Sequence, residues 1–310
     1  MESSVSTENN YTSKSRNCKE GVHPETLPTA EEMNSVVSKG IEHAQENFRA
    51  KPDDIFLCSF PKSGTTWLKA LSFATATRTR FHNSENPLLT KSPHDCIPFL
   101  EIYFNNNPTM HESVDLPLWS THIPYSSLPK SIIDSSCKIV YICRDPKDTF
   151  ISLWHFRKRI ESHNPGIIFE EAFELFCKGS SFYAPYWEHF LGYWNASLEF
   201  PDRVLFLKYE EMMEDTALYL KRLAEFIGYP FSLQEENEGV VQNIVDLCSF
   251  ENLSNLEVNK SGKRDCIVMN NNAFFRKGKV GDWKNYLTSE MAERLDKIIE
   301  EKFAGSGFKF

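Results

Sequence analysis

Apolar positions near the start of the chain follow a helical spacing. Beyond residue 25, the positions that recur three or four residues apart are Met33, Val36, Val37, Ile41, Ala44 and Phe48. Thr29 and Glu32 stand three residues apart just before them, as in a capping box, and predict the start of an amphipathic helix. Residues 1–25 lack such a face, so we predict a disordered tail there and a single domain over residues 26–310.

Three short apolar runs further along the chain predict strands. They cover residues 55–60, 138–143 and 204–207, and a helical pattern follows each of them directly. Unbroken apolar runs are typical of strands buried on both faces of a parallel sheet. We therefore predict one α/β domain with a central parallel sheet flanked by helices, and ligands bound beyond the carboxyl ends of its strands.

Composition and charge exclude several classes of protein. The chain has 310 residues, is 41% hydrophobic, and carries 43 acidic against 34 basic side chains, which gives a formal charge of −9. This composition excludes a largely unfolded or collagen-like chain. Because nucleic-acid binding needs a basic face, we expect no nucleic-acid partner. An anionic ligand then needs a local basic cluster.

The eight cysteines and the apolar runs indicate a cytoplasmic protein. No two cysteines form a Cys-x-x-Cys pair, and Cys58 and Cys143 lie inside apolar runs, so we expect reduced thiols and no metal site. The chain shows neither a secretory apolar region nor an apolar run of membrane-spanning length. We therefore expect no membrane partner.

A phosphate-binding loop is predicted directly after the first strand. Residues 60–67 read Phe-Pro-Lys-Ser-Gly-Thr-Thr-Trp, and a helical pattern continues from there. Gly64 allows a phosphate to approach the backbone, and the helix N-terminus offers unpaired N–H groups. Thr65 and Thr66 add hydroxyls and Lys62 adds a full charge. An ordinary strand-to-helix turn is the alternative, and the reversed order of Gly and Lys disfavours the Walker A loop of a kinase.

A second basic segment follows the second predicted strand. Residues 144–148 read Arg-Asp-Pro-Lys-Asp, in which Asp145 and Pro146 suit the start of a helix. Arg144 then lies at the strand tip, and Ser152, nearly two turns into the helix, faces the same crevice. A guanidinium suits bidentate contact with a phosphate. The alternative is an exposed arginine and an ordinary helical serine.

A third basic segment lies near the carboxyl terminus. Residues 275–283 read Phe-Arg-Lys-Gly-Lys-Val-Gly-Asp-Trp, which brings three basic residues and two glycines together in an acidic chain. Charge runs are usually solvated surface, but glycines beside Arg and Lys also suit donors that converge on a phosphate. This segment is the local basic cluster that an anionic ligand needs.

Together, the three segments resemble the cytosolic sulfotransferase family, and in particular its plant-type, flavonol sulfotransferase-like members. The resemblance implies a P-loop-like α/β fold. It also implies transfer of the sulfuryl group of 3′-phosphoadenosine 5′-phosphosulfate (PAPS) to a hydroxyl of a small molecule, which leaves adenosine 3′,5′-bisphosphate (PAP). The cofactor-binding residues that it implies are Lys62, Ser63, Gly64, Thr65, Thr66, Trp67, Arg144, Ser152, Tyr209, Cys248, Phe250, Arg276, Lys277 and Gly278.

Sulfuryl transfer needs a base for the acceptor hydroxyl and a cation for the leaving phosphate. Lys62 suits the second task, but residue chemistry alone does not choose among the nine histidines. Residues 121–124, Thr-His-Ile-Pro, resemble the catalytic segment of the family, which implies His122 as the general base and Ser152 as the residue that holds Lys62 in check. Many members carry a lysine two residues before this histidine, whereas this chain has Ser120, so we expect one auxiliary cation to be missing.

The acceptor and the oligomeric state are less constrained. The resemblance places Phe99, Phe156, Phe182 and Tyr183 at the acceptor cavity, although such aromatics also serve as plain core. An aromatic cavity favours a flavonoid or phenolic acceptor, with a steroid, hydroxyjasmonate or desulfoglucosinolate as alternatives. A small-molecule kinase and an inactive nucleotide-binding protein are more remote alternatives. Since Ser289 replaces the valine of the dimerisation motif of animal members, we expect a monomer or a weak dimer.

Overall fold

Four short strands form one parallel sheet at the centre of the fold. They are β1 (Ile55–Ser59), β2 (Leu118–Thr121), β3 (Lys138–Cys143) and β4 (Val204–Lys208), in the order β2-β1-β3-β4. All neighbouring pairs are parallel, so the four carboxyl ends lie at one edge of the sheet. The structure is a computed structural model that describes residues 30–107, 116–160, 167–180, 183, 185–264 and 269–310.

Helices cover both faces of this sheet. They are α1 (Ala30–Asn47), α2 (Thr65–Thr77), α3 (Pro93–Cys96), α4 (Leu100–Asn106), α5 (Lys130–Asp134), α6 (Pro146–Ile160), α7 (Phe169–Cys177), α8 (Tyr186–Glu199), α9 (Tyr209–Glu214), α10 (Thr216–Phe226), α11 (Leu233–Asn237), α12 (Val240–Leu247), α13 (Phe250–Asn255), α14 (Glu257–Lys260) and α15 (Ser289–Phe303). A short antiparallel pair, β5 (Lys263–Arg264) and β6 (Met269–Asn270), lies outside the main sheet. No described helix has the length and apolarity to cross a membrane.

Alternate residues of the strands face opposite sides of the sheet and divide the core in two. On one side, Phe56 and Tyr141 pack with residues of α4, α6, α8 and α15. On the other side, Leu57 and Val140 pack with residues of α2, α10 and α12. Because both faces are covered, both sets of alternating positions are apolar, which accounts for the unbroken apolar runs.

The predicted α/β fold with a central parallel sheet is confirmed, with small differences in the elements. The first predicted helix is α1, and β1 ends one residue earlier than predicted because the chain turns at Phe60 into the loop before α2. Cys58 and Cys143 are buried in the core, on β1 and at the end of β3. The predicted tail, residues 1–25, lies outside the described residues, and the start of the domain at residue 26 stays a prediction.

Candidate active site

The carboxyl ends of the four strands bring the predicted site segments to one cavity. The loop with Lys62 follows β1, His122 follows β2, Arg144 follows β3, and Tyr209 follows β4. The cavity has a volume of about 420 Å³, which is within the usual range of small-ligand sites. Its position is the one expected for a parallel α/β sheet.

Most of the residues singled out in the sequence line this cavity. They are Lys62, Gly64, Thr65, Thr66, Trp67, Phe99, His122, Arg144, Ser152, Phe156, Tyr183, Tyr209, Cys248, Phe250, Arg276, Lys277 and Gly278. Ser63 is different, because it is fully buried behind the loop with its hydroxyl 3.5 Å from that of Thr149. Phe182 lies outside the described residues. Ser120 is also buried, and its hydroxyl donates to the Pro98 carbonyl at 2.9 Å.

The loop between β1 and α2 has a backbone conformation that requires glycine at one position. Gly64 precedes the first residue of α2 and has a φ of 113°. A Cβ atom there would lie 2.9 Å from Ile142 Cδ1 and 3.0 Å from Tyr209 Cδ2. Only glycine therefore lets the loop pack this closely against β3 and the Tyr209 ring.

The Lys62 ammonium lies among aromatic rings and other cations. Its Nζ is 4.1 Å from the centroid of Phe156 and 5.5 Å from that of Phe274, within range for cation–π attraction. Burial, together with the charges of Arg159 and Arg144, lowers the pKa of Lys62 to about 7. Its charge in the free protein is therefore sensitive to pH near neutrality.

His122 is held by contacts to three other segments. Its backbone N–H donates to Glu101 Oε1 at 3.0 Å, and its carbonyl oxygen lies 2.9 Å from Nε2 of His189. Its Nδ1 lies 2.7 Å from the carbonyl oxygen of Ser59. Since a carbonyl oxygen only accepts, Nδ1 carries the proton and the lone pair of the neutral ring is on Nε2.

Burial keeps this imidazole neutral. It lowers the pKa of His122 to about 3, and the positive charge of Lys69 acts in the same direction. The hydrogen bond to Ser59 opposes the shift without cancelling it. At neutral pH, His122 is therefore available as a proton acceptor.

A buried carboxylate that the sequence motifs did not identify supports the histidine. Glu101 is completely buried and also accepts from Thr121 Oγ1 at 2.8 Å. Burial raises the pKa of Glu101, and these hydrogen bonds partly oppose the shift. A sequence signal did exist, because Glu101 is a lone acidic residue between the apolar residues 99–100 and 102–104. A buried charge of this kind needs partners.

The basic segment near the carboxyl terminus is anchored by two aspartates. Asp148 on α6 is buried and accepts from the backbone N–H groups of Gly281 at 2.7 Å and Trp283 at 2.9 Å. Asp282 pairs with Arg276, and it accepts from Lys277 Nζ at 2.7 Å. Burial would raise the pKa of Asp282, but the hydrogen bonds from these two cations lower it to about 2.

Two guanidinium groups at this end suit an anion. The Nε atoms of Arg144 and Arg276 are buried and have no hydrogen-bond partner within the described part of the chain. Leaving a buried donor unpaired costs about 1–3 kcal/mol, so a bound phosphate at this end would be stabilised by them. The described residues contain no group of three or more His, Cys, Asp or Glu side chains that could hold a metal ion.

The comparisons with known proteins agree with this geometry. The family described as "Sulfotransferase domain" matches residues 52–307. This chain belongs to the sulfotransferase family. It is 54% identical over 277 residues to cytosolic sulfotransferase 17 of Arabidopsis thaliana, covering 87% of this chain and 80% of the relative. It is 53% identical over 271 residues to flavonol 4′-sulfotransferase of Flaveria chlorifolia, covering 85% and 83%.

A solved sulfotransferase has a similar structure. A mouse sulfotransferase complexed with PAP superposes with a TM-score of 0.67 at 27% identity, covering 88% of this chain and 93% of that chain. The predicted family and fold are therefore confirmed. The roles of the individual site residues in this sulfotransferase remain predictions.

The aromatic residues predicted to bind the adenine all line the cavity of this sulfotransferase. Trp67 and Tyr209 meet edge to face, with ring centroids 5.4 Å apart. Phe250 packs over Gly278, where a Cβ atom would come within 2.5 Å of the Phe250 ring. Gly278 therefore allows the basic segment to pack directly on an aromatic wall.

Proposed function

We propose that this sulfotransferase moves the sulfuryl group of PAPS to a hydroxyl of a small aromatic metabolite, of the flavonoid or phenolic class. The observation that carries the proposal is the 2.7 Å hydrogen bond from His122 Nδ1 to the Ser59 carbonyl. It leaves a neutral Nε2 in the same cavity as the Lys62 ammonium. A proton acceptor beside a cation is what sulfuryl transfer to a hydroxyl needs.

The cavity has suitable groups for each part of PAPS, which supplies an activated sulfuryl group when bound. The loop with Gly64 and Thr65 suits the 5′ end, and Arg144, Ser152 and Arg276 suit the 3′-phosphate. The rings of Trp67, Tyr209 and Phe250, with Cys248, suit the adenine. The buried Nε atoms of Arg144 and Arg276 support the assignment of these arginines to the 3′-phosphate. The PAP complex of the mouse sulfotransferase supports the cofactor class.

Three residues carry the proposed chemistry. His122 Nε2 takes the proton of the acceptor hydroxyl, and the Lys62 ammonium compensates the charge that develops on the leaving phosphate. Ser152 and Phe156 lie one turn apart on α6, so they share the face over which Lys62 Nζ lies. This placement supports Ser152 as the residue that holds Lys62 in check before the acceptor binds.

The rings around His122 support an aromatic acceptor. Phe99 lies 4.9 Å and Tyr183 5.3 Å from the imidazole, measured between ring centroids. Flat apolar walls beside the base favour a planar phenol over a strongly charged acceptor. The names of the relatives support a flavonol as acceptor and the cytosol as location. We propose a monomer or weak dimer, which a tight dimer in dilute sedimentation runs would contradict.

Calorimetry with PAP, with and without Mg²⁺, tests the cofactor class. We expect tight binding of PAP that does not depend on Mg²⁺. A kinase would instead bind ATP with Mg²⁺ and would transfer a phosphoryl group.

A transfer assay with PAPS tests the reaction and the acceptor. The panel contains flavonols, simple phenols, steroids, hydroxyjasmonate and desulfoglucosinolates, and we expect the flavonols or simple phenols to give the highest kcat/KM. A preference for one of the other classes would contradict the proposed acceptor. Binding of PAP without transfer to any acceptor would indicate an inactive nucleotide-binding protein.

A further inference from the structure

Two buried basic side chains lie beside the cofactor loop, one of them, His94, at the wall of the cavity, and no motif assigns them a role. Lys69 on α2 is completely buried, and His94 on α3 is 2% exposed. Lys69 Nζ lies 3.0 Å from the Ile97 carbonyl oxygen, 3.2 Å from His94 Nδ1, and 3.4 Å from the centroid of the Phe99 ring. Burying an ammonium group is costly unless such partners compensate it.

These contacts determine which atoms donate. A lysine ammonium has three donors and no acceptor, so His94 Nδ1 accepts from Lys69 and carries no proton. The proton of the neutral imidazole is therefore on Nε2, which lies 2.9 Å from Thr66 Oγ1. His94 thus donates to the hydroxyl oxygen of Thr66, which leaves the hydroxyl hydrogen of Thr66 available to another acceptor.

The His94 ring is held between two aromatic rings. It stacks on Phe99 with centroids 5.4 Å apart and an interplanar angle of 18°, and it lies 4.1 Å from the centroid of Phe274. These contacts restrict rotation of the imidazole. Thr66 lines the cavity in the loop proposed for the 5′ end of the cofactor.

We propose that Lys69 and His94 are positioning residues for the cofactor. Lys69 sets the tautomer of His94, and His94 orients the Thr66 hydroxyl as a hydrogen-bond donor toward the 5′-phosphate. This inference rests on the proposed function, because it needs a nucleotide whose 5′ end lies at the loop. A purely structural role would affect the binding of any nucleotide, whereas the proposed role affects only the contact with the 5′-phosphate.

Two nucleotides separate these possibilities. PAP carries both phosphates, whereas adenosine 3′-monophosphate lacks the 5′-phosphate. By calorimetry, we expect His94→Phe to weaken PAP binding by about ten- to hundredfold, as for a lost hydrogen bond to a charged group. The affinity for adenosine 3′-monophosphate should stay within about twofold. In a Thr66→Val background, His94→Phe should weaken PAP binding no further.

Two variants serve as controls. In His94→Gln, the amide can accept from Lys69 and donate to Thr66, so PAP binding should be retained. Lys91→Met removes an exposed lysine just before α3 and should also leave PAP binding unchanged. If His94→Phe alone does not fold, the double variant Lys69→Met with His94→Phe replaces it, because it also removes the charge left unpaired. The same selective loss is expected of the double variant.

Several outcomes would overturn the inference. Equal loss for both nucleotides, no loss for PAP, or a further loss in the Thr66→Val background would each show that the pair does not act through Thr66 on the 5′-phosphate. Failure of the proposed function would appear in the wild-type protein, which would then not bind PAP, and the inference would fail with it. Tight PAP binding by the wild type with the wrong variant pattern would overturn this inference alone.

Discussion

His122 Nδ1 donates a hydrogen bond to the carbonyl oxygen of Ser59 over 2.7 Å. The contact joins the residue after β2 to the last residue of β1, and the Ser59 hydroxyl lies 2.6 Å from that of Thr65 in the cofactor loop. The base and the loop are therefore connected through Ser59. The chemistry proposed for His122 depends on this link, since it determines the tautomer.

Replacing His122 tests the base directly. We expect His122→Ala to lower kcat by about 10²–10⁴-fold, the usual contribution of general base catalysis, while the calorimetric affinity for PAP is retained. His82→Ala removes an exposed histidine and should leave kcat unchanged. Unchanged turnover of His122→Ala would rule out the assignment.

The lowered pKa of His122 predicts how the rate depends on pH. Because this pKa is about 3, the ring stays neutral as the pH falls from 8 to 5. Protonation of the base should therefore cause no loss of kcat over this range, measured at saturating PAPS and with an acceptor that does not itself titrate there. A kcat that falls as the pH is lowered through about 6.5 would contradict the burial argument.

Lys62 should make PAP binding dependent on pH. Its pKa in the free protein is about 7, so the side chain is largely neutral at pH 8, and an adjacent anion should restore its proton. The phosphates of PAP are already ionised at pH 8. We expect net proton uptake on binding, measured by calorimetry in buffers of different ionisation enthalpy, and an affinity that falls by up to about tenfold per pH unit above 7.

The variant Lys62→Arg supplies the control for that measurement. An arginine is always charged, so proton uptake at pH 8 should disappear while PAP still binds. Equal proton uptake by both proteins would show that another group titrates.

Removal of the Arg276 side chain should weaken only the binding of nucleotides that carry a 3′-phosphate. We expect Arg276→Ala to weaken PAP binding by about ten- to hundredfold, because one charged hydrogen-bond donor is lost. Binding of adenosine 5′-monophosphate, which lacks the 3′-phosphate, should change little. Arg294→Ala is the matched control, since Arg294 pairs with Glu174 at an exposed site. Equal loss for both nucleotides would contradict the assignment.

Asp148 should be important for stability. Asp148→Ala leaves two backbone N–H groups and the nearby Arg144, 3.7 Å away, without their buried acceptor. We expect the free energy of unfolding to fall by about 2–4 kcal/mol, measured by urea denaturation. Asp246→Ala, at an exposed position on α12, should change it by less than about 0.5 kcal/mol. Similar values for the two variants would contradict the anchoring role of Asp148.

Two glycines that precede helices allow the cost of backbone strain to be distinguished from the cost of lost packing. Gly64 and Gly239 have φ values of 113° and 75°, but only at Gly64 would a Cβ atom meet neighbours within 4 Å. Gly239→Ala should therefore cost about 1 kcal/mol through strain alone. Gly64→Ala should cost more and should weaken PAP binding, because Tyr209 must move. Equal changes in melting temperature for the two variants would contradict the close packing of Gly64 against Tyr209.

The local features of this protein were predictable from its sequence. Unbroken apolar runs predicted β1, β3 and β4 to within one residue at their ends, because a strand buried on both faces leaves a local pattern. The three basic segments were also recognisable as short motifs. No long apolar run marks β2, because a strand of four residues is too short to leave a clear period.

The choice among chemically equal residues was decided by tertiary structure. His189 has the same side chain as His122, but its Nδ1 lies 3.0 Å from the Tyr141 hydroxyl and its Nε2 2.9 Å from the His122 carbonyl oxygen. Both of its ring nitrogens serve to hold the fold. Likewise, Ser63 belongs to the loop motif, but its side chain is fully buried and does not line the cavity.

Local patterns in the sequence were enough to predict β1, β3 and β4, the helix α1, the helices that follow those strands, the basic segments and the family. Packing in three dimensions determines which atoms meet: His122 with Ser59, Asp148 with the segment 281–283, and Lys69 with His94. The cause is their separation along the chain. These contacts join residues that lie far apart in sequence, and they form only where packed strands and helices bring the partners within hydrogen-bond range.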